Sequence, residues 1–258
     1  MKIMTCNIRS WGANDGDDSW VHRKDFCIET IRSREPDIIG FQEMWTEHFA
    51  DLKPEFAEFD FYGMIDEPLG RHPMDTIFYR REAFDLVSSG GYWLSETPHV
   101  TGSKSWDSAC VRLANWVRLF DRDSQKEFRM INTHLDHRGQ VARENQARII
   151  CEDAKAYPES YPQFLTGDLN CDHQNPAIGV LKEQGWGDTY GVIHGTEAPG
   201  FTFHAFKGPK FAESSRCDKM DWVFARGEIN VLNAEVIDDD QNGRFPSDHY
   251  FVLAEVSL

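Results

Sequence analysis

Six short segments of this 258-residue chain carry side chains able to bind a cation, orient a water or hold a phosphoryl oxygen. They are Asn7, Glu43 in Gly40-Phe41-Gln42-Glu43, His134 in Asn132-Thr133-His134-Leu135-Asp136-His137, Asp168 with Asn170 in Thr166-Gly167-Asp168-Leu169-Asn170, Asp221 in Lys219-Met220-Asp221-Trp222, and Ser247-Asp248-His249. Each lies at the end of an apolar run that reads as a buried strand. Rigid strands whose ends converge hold ligands in fixed geometry, while the loops beyond them admit substrate. Glu43, Asp168, Asp248 and the amide oxygens of Asn7 and Asn170 are hard oxygen donors, a set suited to Mg²⁺ or Mn²⁺. Mg²⁺ takes few protein ligands and keeps several waters, so it can coordinate and polarise a substrate phosphate. Taken singly, each residue also has a plain structural use: Glu43 can open a helix over residues 44–52, Asn7 can cap a turn, and a strand-end histidine often only satisfies its neighbours.

The elements that must position these groups read as alternating strands and helices. Strands are expected at residues 2–8, 37–42, 75–79, 113–120, 128–133, 163–166, 220–224, 229–237 and 250–256, from apolar runs bounded by turn formers. The pair 113–120 and 128–133, joined by a polar turn, predicts an antiparallel hairpin. A helix follows Ser19, a candidate cap, with Val21, Phe26, Cys27, Ile28 and Ile31 as its buried stripe and Glu35-Pro36 as its stop. A second helix is predicted over 140–156, with Val141, Ala147, Ile150, Cys151 and Ala154 largely on one side. No repeat, linker or composition shift interrupts the chain, which predicts one domain over 1–258.

Composition narrows the function. Lys plus Arg is 27 against 43 Asp plus Glu, a net charge of −16. Affinity for nucleic acid comes largely from cationic contacts that release counterions, so long duplexes are disfavoured. A small phosphate ester, or a short strand end held through a metal, stays compatible, because a bound divalent ion dominates its local field. Eighteen Phe, eight Trp and seven Tyr supply a globular core. No run approaches the roughly 18 apolar residues of a membrane span, and Met1–Asn7 lacks a signal-peptide core. The six cysteines show no C-x-x-C pair or zinc spacing, so they are read as reduced thiols of a cytoplasmic protein without an obligate protein partner.

The ordered set of segments resembles the endonuclease/exonuclease/phosphatase superfamily of Mg²⁺-dependent phosphohydrolases. Cys6-Asn7-Ile8-Arg9, Gly40 to Glu43, Asn132 to Asp136, Gly167 to Asn170, Met220 to Phe224 and Ser247-Asp248-His249 match its motifs in order over nearly the whole chain. Ile77-Phe78-Tyr79-Arg80, Trp93-Leu94-Ser95-Glu96-Thr97-Pro98 and Trp106-Asp107 look like the middle segment of a bacterial branch of small cytosolic members. Arg138 is similar to the phosphate-binding arginine of the nocturnin and deadenylase branch.

The resemblance implies an α/β fold, a four-layer sandwich of two packed mixed β-sheets flanked by helices, deoxyribonuclease-like. It also implies roles. Glu43 is the principal metal ligand, with Asn7 beside it and Asp248 binding metal or supporting the dyad. Asp168 and Asn170 orient the attacking water, His134 stabilises developing charge, and His249 manages protons with Asp221 behind it. Arg138, Arg112 and Asn132 are substrate-binding candidates, although Arg138 can equally pair with Glu144. The expected cofactor is Mg²⁺, with Mn²⁺ as substitute, and the substrate a phosphate-containing small molecule. A nuclease acting on DNA or RNA is the alternative. Trp11, Trp93 and Trp106 are expected in loops flanking the site, and His137, His173 and His204 are read as structural.

Overall fold

The structure, a computed structural model, describes residues 1–65, 75–195, 200–213 and 219–258. In chain order its elements are β1 (Lys2–Asn7), α1 (Trp20–Ser33), β2 (Ile38–Gln42), α2 (Thr46–Glu55), β3 (Phe59–Tyr62), β4 (Ile77–Arg80), β5 (Phe84–Trp93), β6 (Leu113–Asp121) and β7 (Lys126–His134). Then follow α3 (Gln140–Ala154), β8 (Gln163–Asp168), α4 (Pro176–Glu183), β9 (Gly187–Asp188), α5 (Thr189–His194), β10 (Asp221–Arg226), β11 (Asn230–Ile237) and β12 (Phe251–Ser257). They form two six-stranded mixed sheets, ordered β11-β12-β1-β2-β4-β3 and β5-β6-β7-β8-β10-β9. This is the expected four-layer sandwich.

Strand alternation builds the layers. On β1 and β2, Ile3 and Ile38 point inward to meet Met130, Phe164 and Val223 of the second sheet. Met4, Cys6, Ile39 and Phe41 point outward under Trp20, Cys27 and Ile31 of α1 and Leu52 of α2. On the second sheet Ile131, Leu165 and Phe224 point outward under Ala147 and Ile150 of α3 and Ile178 and Leu181 of α4. Burial of these side chains is the main driving force for the sandwich, at roughly 1.5–3 kcal/mol for each large one.

The inner faces change character toward one edge. Beyond the apolar contacts lies a buried polar layer in which Thr5 Oγ1 donates to Gln42 Oε1 at 3.2 Å and Gln42 Nε2 donates to Asn132 Oδ1 at 2.7 Å. Thr166 Oγ1 donates to the same Asn132 oxygen at 2.9 Å, and Asn132 Nδ2 donates to Phe41 O at 2.8 Å. An unpaired buried polar group costs about 1–3 kcal/mol, so this layer specifies how the sheets seat on one another. It also corrects the expectation for Asn132. Its side chain is fully buried and its amide is spent between the sheets, so it supports the site from beneath instead of meeting substrate.

Other departures have local causes. The strand Phe84–Trp93 has no counterpart among the expected strands; a Cβ on its Gly90 would sit 2.6 Å from the Trp116 ring packed across it. In α1 the buried stripe is Trp20, Arg23, Cys27, Thr30 and Ile31, which leaves Val21 exposed, and Ser19 makes no side-chain cap. Val141 of α3 is also exposed. The hairpin of β6 and β7 is present, with Asp121 paired to Lys126 across its turn. The five described cysteines are free thiols, and Cys217 lies outside the described residues. Among the described residues no helix is long and apolar enough to cross a membrane.

At Gly40 the two sheets come close: a Cβ there would lie 2.3 Å from Thr166 Oγ1 and 2.5 Å from Asn132 Oδ1. Gly40→Ala is expected to destabilise by about 1–3 kcal/mol through overpacking, read as a lowered Tm. An unchanged Tm would mean that the polar layer does not set the spacing of the sheets.

Candidate active site

Topology brings the six segments together. β1 runs parallel to β2, and β7 parallel to β8, while β12 and β10 run antiparallel to β1 and β8. The C-terminal ends of β1, β2, β7 and β8 and the N-terminal ends of β10 and β12 therefore share one edge of the sandwich. Register refines the match, because His134 pairs with Asp168 and Asp168 with Asp221. Asn7, His134, Asp168 and Asp221 also share the inward parity of Ile3, Met130, Phe164 and Val223, two, four or more residues along the same strands.

At these exits the chain is turned by its own functional side chains. Asn7 Oδ1 accepts from Arg9 N at 3.0 Å, Asp168 Oδ1 from Asn170 N at 2.9 Å, and Asp136 Oδ1 from Arg138 N at 2.9 Å. Such Asx turns let one residue end a strand and present polar atoms. Arg9, Glu43 and Asn170 adopt φ of 60°, 61° and 49°. A non-glycine residue in this region costs on the order of 1–3 kcal/mol, a strain typical of active sites.

At the centre is Asp168 Oδ2. Asn7 Nδ2 donates to it at 2.9 Å, His134 Nε2 lies 3.3 Å away and His249 Nε2 3.8 Å away. His249 Nδ1 contacts Asp221 Oδ2 at 2.8 Å, and Asp221 is fully buried. Glu43 forms the outer wall: its Oε2 accepts from Ser10 N at 2.7 Å and Ser10 Oγ at 2.5 Å, and its Oε1 from Asn7 Nδ2 at 3.3 Å. Asp248 faces Arg9 Nε at 3.6 Å, and Arg9 also forms a two-point pair with Asp15.

The electrostatics separate these groups. Burial, reinforced by Asp221, pushes Asp168 up to about 7. Burial also acts upward on Glu43, but the Ser10 donors and the charge of His249 outweigh it and hold the carboxyl below its usual range. Burial opposes charge on His249, yet Asp221 and Asp168 prevail and favour the imidazolium. His134 moves the other way, kept neutral by burial and by the like charge of Arg112. Burial raises Asp248 as well. Opposite shifts on neighbouring groups are the pattern of paired acid and base roles.

The donor set fits a hard divalent cation. Asp168, Asp221 and Asp248 are buried, Glu43 partly so, and Asp168 and Asp248 each feel Glu43 as a like charge that raises their pKa. Such crowded carboxylates are relieved by a dication, and Glu43 with the Asn7 amide offers it oxygen ligands. Ligand atoms of Asp168, Asp221 and His249 also lie within 4.8 Å of one another, but the Asp221–His249 contact makes that trio a proton-linked pair facing a third carboxylate. Cys110, Asp136 and His137 form another such group, in which five donors already occupy the Asp136 carboxylate.

Comparison with known proteins follows this geometry. The endonuclease/exonuclease/phosphatase family matches residues 4–249. The chain belongs to that family. The endonuclease/exonuclease/phosphatase family is one of divalent-metal-dependent hydrolytic phosphoesterases. Human Nocturnin is 22% identical, over all of this chain and 65% of its own length, and Drosophila melanogaster Nocturnin is 27% identical over 63% of this chain. The chain spans only 26% of the length of the fly protein. Among solved structures, a mannosyl-6-phosphatase of Bacteroides thetaiotaomicron is 28% identical with a TM-score of 0.88, covering 100% of both chains. An endonuclease/exonuclease/phosphatase protein of Bacteroides vulgatus is 29% identical, also with a TM-score of 0.88, over 100% of this chain and 98% of its own.

The Arg138 guanidinium is exposed and, among the described residues, has no hydrogen bond or ion pair; Glu144 instead meets Gln140 and Arg148. Arg112 is buried, with Nη2 3.5 Å from His137 Nδ1. Trp11 packs edge-on against His48. Ser10 stands outside the sequence motifs, because a serine near a strand exit carries no distinguishing spacing, whereas Ser247, which lies within them, donates from Oγ to Asn7 O at 2.7 Å.

His204 is expected to give stability a pH dependence. Its backbone N donates to Asp248 O at 2.9 Å and its ring stacks on Tyr250, where burial lowers the imidazole pKa to about 3. The unfolded value is near 6.5, so the folded state favours the neutral ring. This contribution is complete above about 6.5 and is lost as pH falls toward 3. Between pH 7.5 and 5 the Tm is expected to fall more steeply in the wild type than in His204→Gln; equal slopes would remove His204 from the acid side.

Proposed function

We propose that the protein is a Mg²⁺-dependent hydrolase of a small phosphate ester, acting by in-line attack of water. The observation that carries this reading is one buried carboxylate oxygen, Asp168 Oδ2, held by the Asn7 amide and flanked by one neutral and one cationic imidazole. Mn²⁺ is the expected substitute. When bound by Glu43 and Asn7, with Asp248 adjacent, the ion would neutralise charge on a phosphoryl oxygen.

The side chains divide the remaining work. Asp168, with its pKa raised to about 7, is poised to take the proton of the attacking water at neutral pH. Asn170 Nδ2 donates to Leu135 O at 3.0 Å and faces His134 Nε2 at 2.9 Å, which fixes both polar heads where phosphoryl charge grows. His249, kept charged by Asp221, gives a proton to the leaving oxygen. Arg112 and Arg138 receive the phosphate.

A small substrate is favoured by the net charge of −16 and by the likeness to the mannosyl-6-phosphatase. Excess chelator is expected to abolish turnover and Mg²⁺ or Mn²⁺ to restore it, with Asp168→Asn and His249→Ala each lowering kcat about 10²–10⁴-fold. Turnover that persists in chelator would overturn the reading. A panel of sugar phosphates, nucleotides, oligoadenylate and plasmid tests the substrate class, and preference for either polymer would establish the nuclease alternative.

A further inference from the structure

We propose that Arg23 is a positioning residue for the hydrolysis: its guanidinium joins the chain exit that carries Asn7 to the one that carries His249, and so sets the placement of these two groups around Asp168. This rests on the proposed phosphoester hydrolysis and adds to it a residue that holds the site without touching substrate.

Arg23 lies near the start of α1 and is only 5% exposed. Its Nη1 donates to Pro246 O at 2.6 Å, its Nη2 to Ile8 O at 2.8 Å and its Nε to Asp18 O at 2.9 Å. Each acceptor is a backbone carbonyl, and among the described residues no carboxylate lies within ion-pair distance of the group. Its Cζ sits 5.2 Å from the centre of the Trp20 ring and 5.5 Å from that of the Phe206 ring. A guanidinium withdrawn from water is costly, and here carbonyls and aromatic rings replace the solvent. With no acid to anchor it, the group is held by the relative arrangement of the segments that supply those carbonyls.

Those segments lead into the site. Ile8 follows Asn7 at the exit of β1, and Pro246 precedes Ser247, Asp248 and His249 at the entry to β12. The two Nη atoms take one carbonyl from each, and beside them Ser247 Oγ donates to Asn7 O at 2.7 Å, so the exits are fastened twice. Phe206, against the guanidinium, ends a turn in which His204 N and Ala205 N donate to Asp248 O at 2.9 and 3.1 Å. Ala205 and Phe206 hold φ of 49° and 59° there, a strain that persists only where the surroundings enforce it. Asp18 ends the loop that carries Ser10 and its two bonds to Glu43. Asn7 Nδ2 and His249 Nε2 lie 2.9 and 3.8 Å from the same Asp168 oxygen, so a shift between the two exits alters both approaches together. Lysine cannot replace the fork, because an ammonium is a point charge whereas the planar guanidinium aims separate N–H groups at separate carbonyls.

The test sets Arg23→Met and Arg23→Lys beside Arg129→Met as a matched control. Arg129 is a second buried guanidinium packed on Trp116 and Tyr157, but it lies where β7 pairs with the first residue of β8, away from the His134–Asp168 end. Turnover is read with p-nitrophenyl phosphate and sugar phosphates at saturating Mg²⁺, well below Tm. Both Arg23 variants are expected to lose about tenfold to a hundredfold in kcat with KM within about threefold, as misplaced reacting groups do. Arg129→Met is expected to lower Tm at least as far while its kcat stays within about twofold. Independently of turnover, the Nδ1 proton that His249 shares with Asp221 gives a downfield NMR signal, expected in the wild type and Arg129→Met and lost or shifted in both Arg23 variants. A kcat within about twofold of wild type in the Arg23 variants, or an unmoved His249 signal, would overturn the proposal. An equal loss of kcat in Arg129→Met would also overturn it by making the effect one of stability, and full activity in Arg23→Lys would overturn the role of the fork. If neither Arg23 variant folds, Ser247→Ala carries the same readings, because it opens the parallel fastening between the same exits. Absence of metal-dependent turnover by the wild type would instead overturn the hydrolase reading, and the His249 signal would still decide the role of Arg23.

Discussion

Asp168 Oδ2 is sealed where the two sheets meet, and both sheets supply what surrounds it. The Asn7 amide and the His249 imidazole come from the first sheet, His134 from the second. Removing a carboxylate from water is tolerated only where hydrogen bonds and opposite charge replace the lost solvation. Asp168 obtains these from three strand ends separated by up to 242 positions in the chain, from Asn7 to His249. The sandwich must therefore be correctly assembled before this oxygen has its partners, which ties the chemistry of the site to global packing and not to any one loop.

The inner faces prepare that position in stages. Aliphatic and aromatic side chains fill the middle of the sandwich, the network of Thr5, Gln42, Asn132 and Thr166 follows, and ionisable groups occupy the edge. Period-2 alternation alone lays these three zones along each strand. The polar network fixes the separation and offset of the sheets, since a shift would strand several buried donors at once. Beyond it, burial keeps His134 neutral, while hydrogen-bond donors and opposite charges overcome burial to keep Glu43 anionic and His249 cationic within one cluster.

Much of this was legible in the sequence, for identifiable reasons. Buried strands of this fold are continuous apolar runs, so β1, β2, β7, β8, β10 and β12 stand out, and the polar residue that ends each run marks the edge. The parity that turns Asn7, His134, Asp168 and Asp221 inward follows from alternation once the strand is known. What stayed hidden depends on contacts between distant segments. β5 stands outside the expected strands, and its Gly90 answers to Trp116 on the neighbouring strand. Asn132 reads as a substrate ligand because nothing local reveals that Gln42 and Thr166 consume its amide. Asp136 and Ser10 carry many bonds but have ordinary spacing, and the buried stripe of α1 shifts because Arg23, not Val21, packs against the loops that precede the site.

The central claim is that these strand ends gather round one hard cation seated on Glu43, with a phosphoryl group held between it and the two imidazoles. Crystals grown with Mn²⁺ and inorganic phosphate test this most directly, because the anomalous signal of manganese locates the ion without assumption. The expected result is a peak coordinated by Glu43, with the phosphate reaching His134, Asn170 and His249. A manganese ion bound by Asp168, Asp221 and His249, with Glu43 bare and no anion beside Arg112, would contradict the claim.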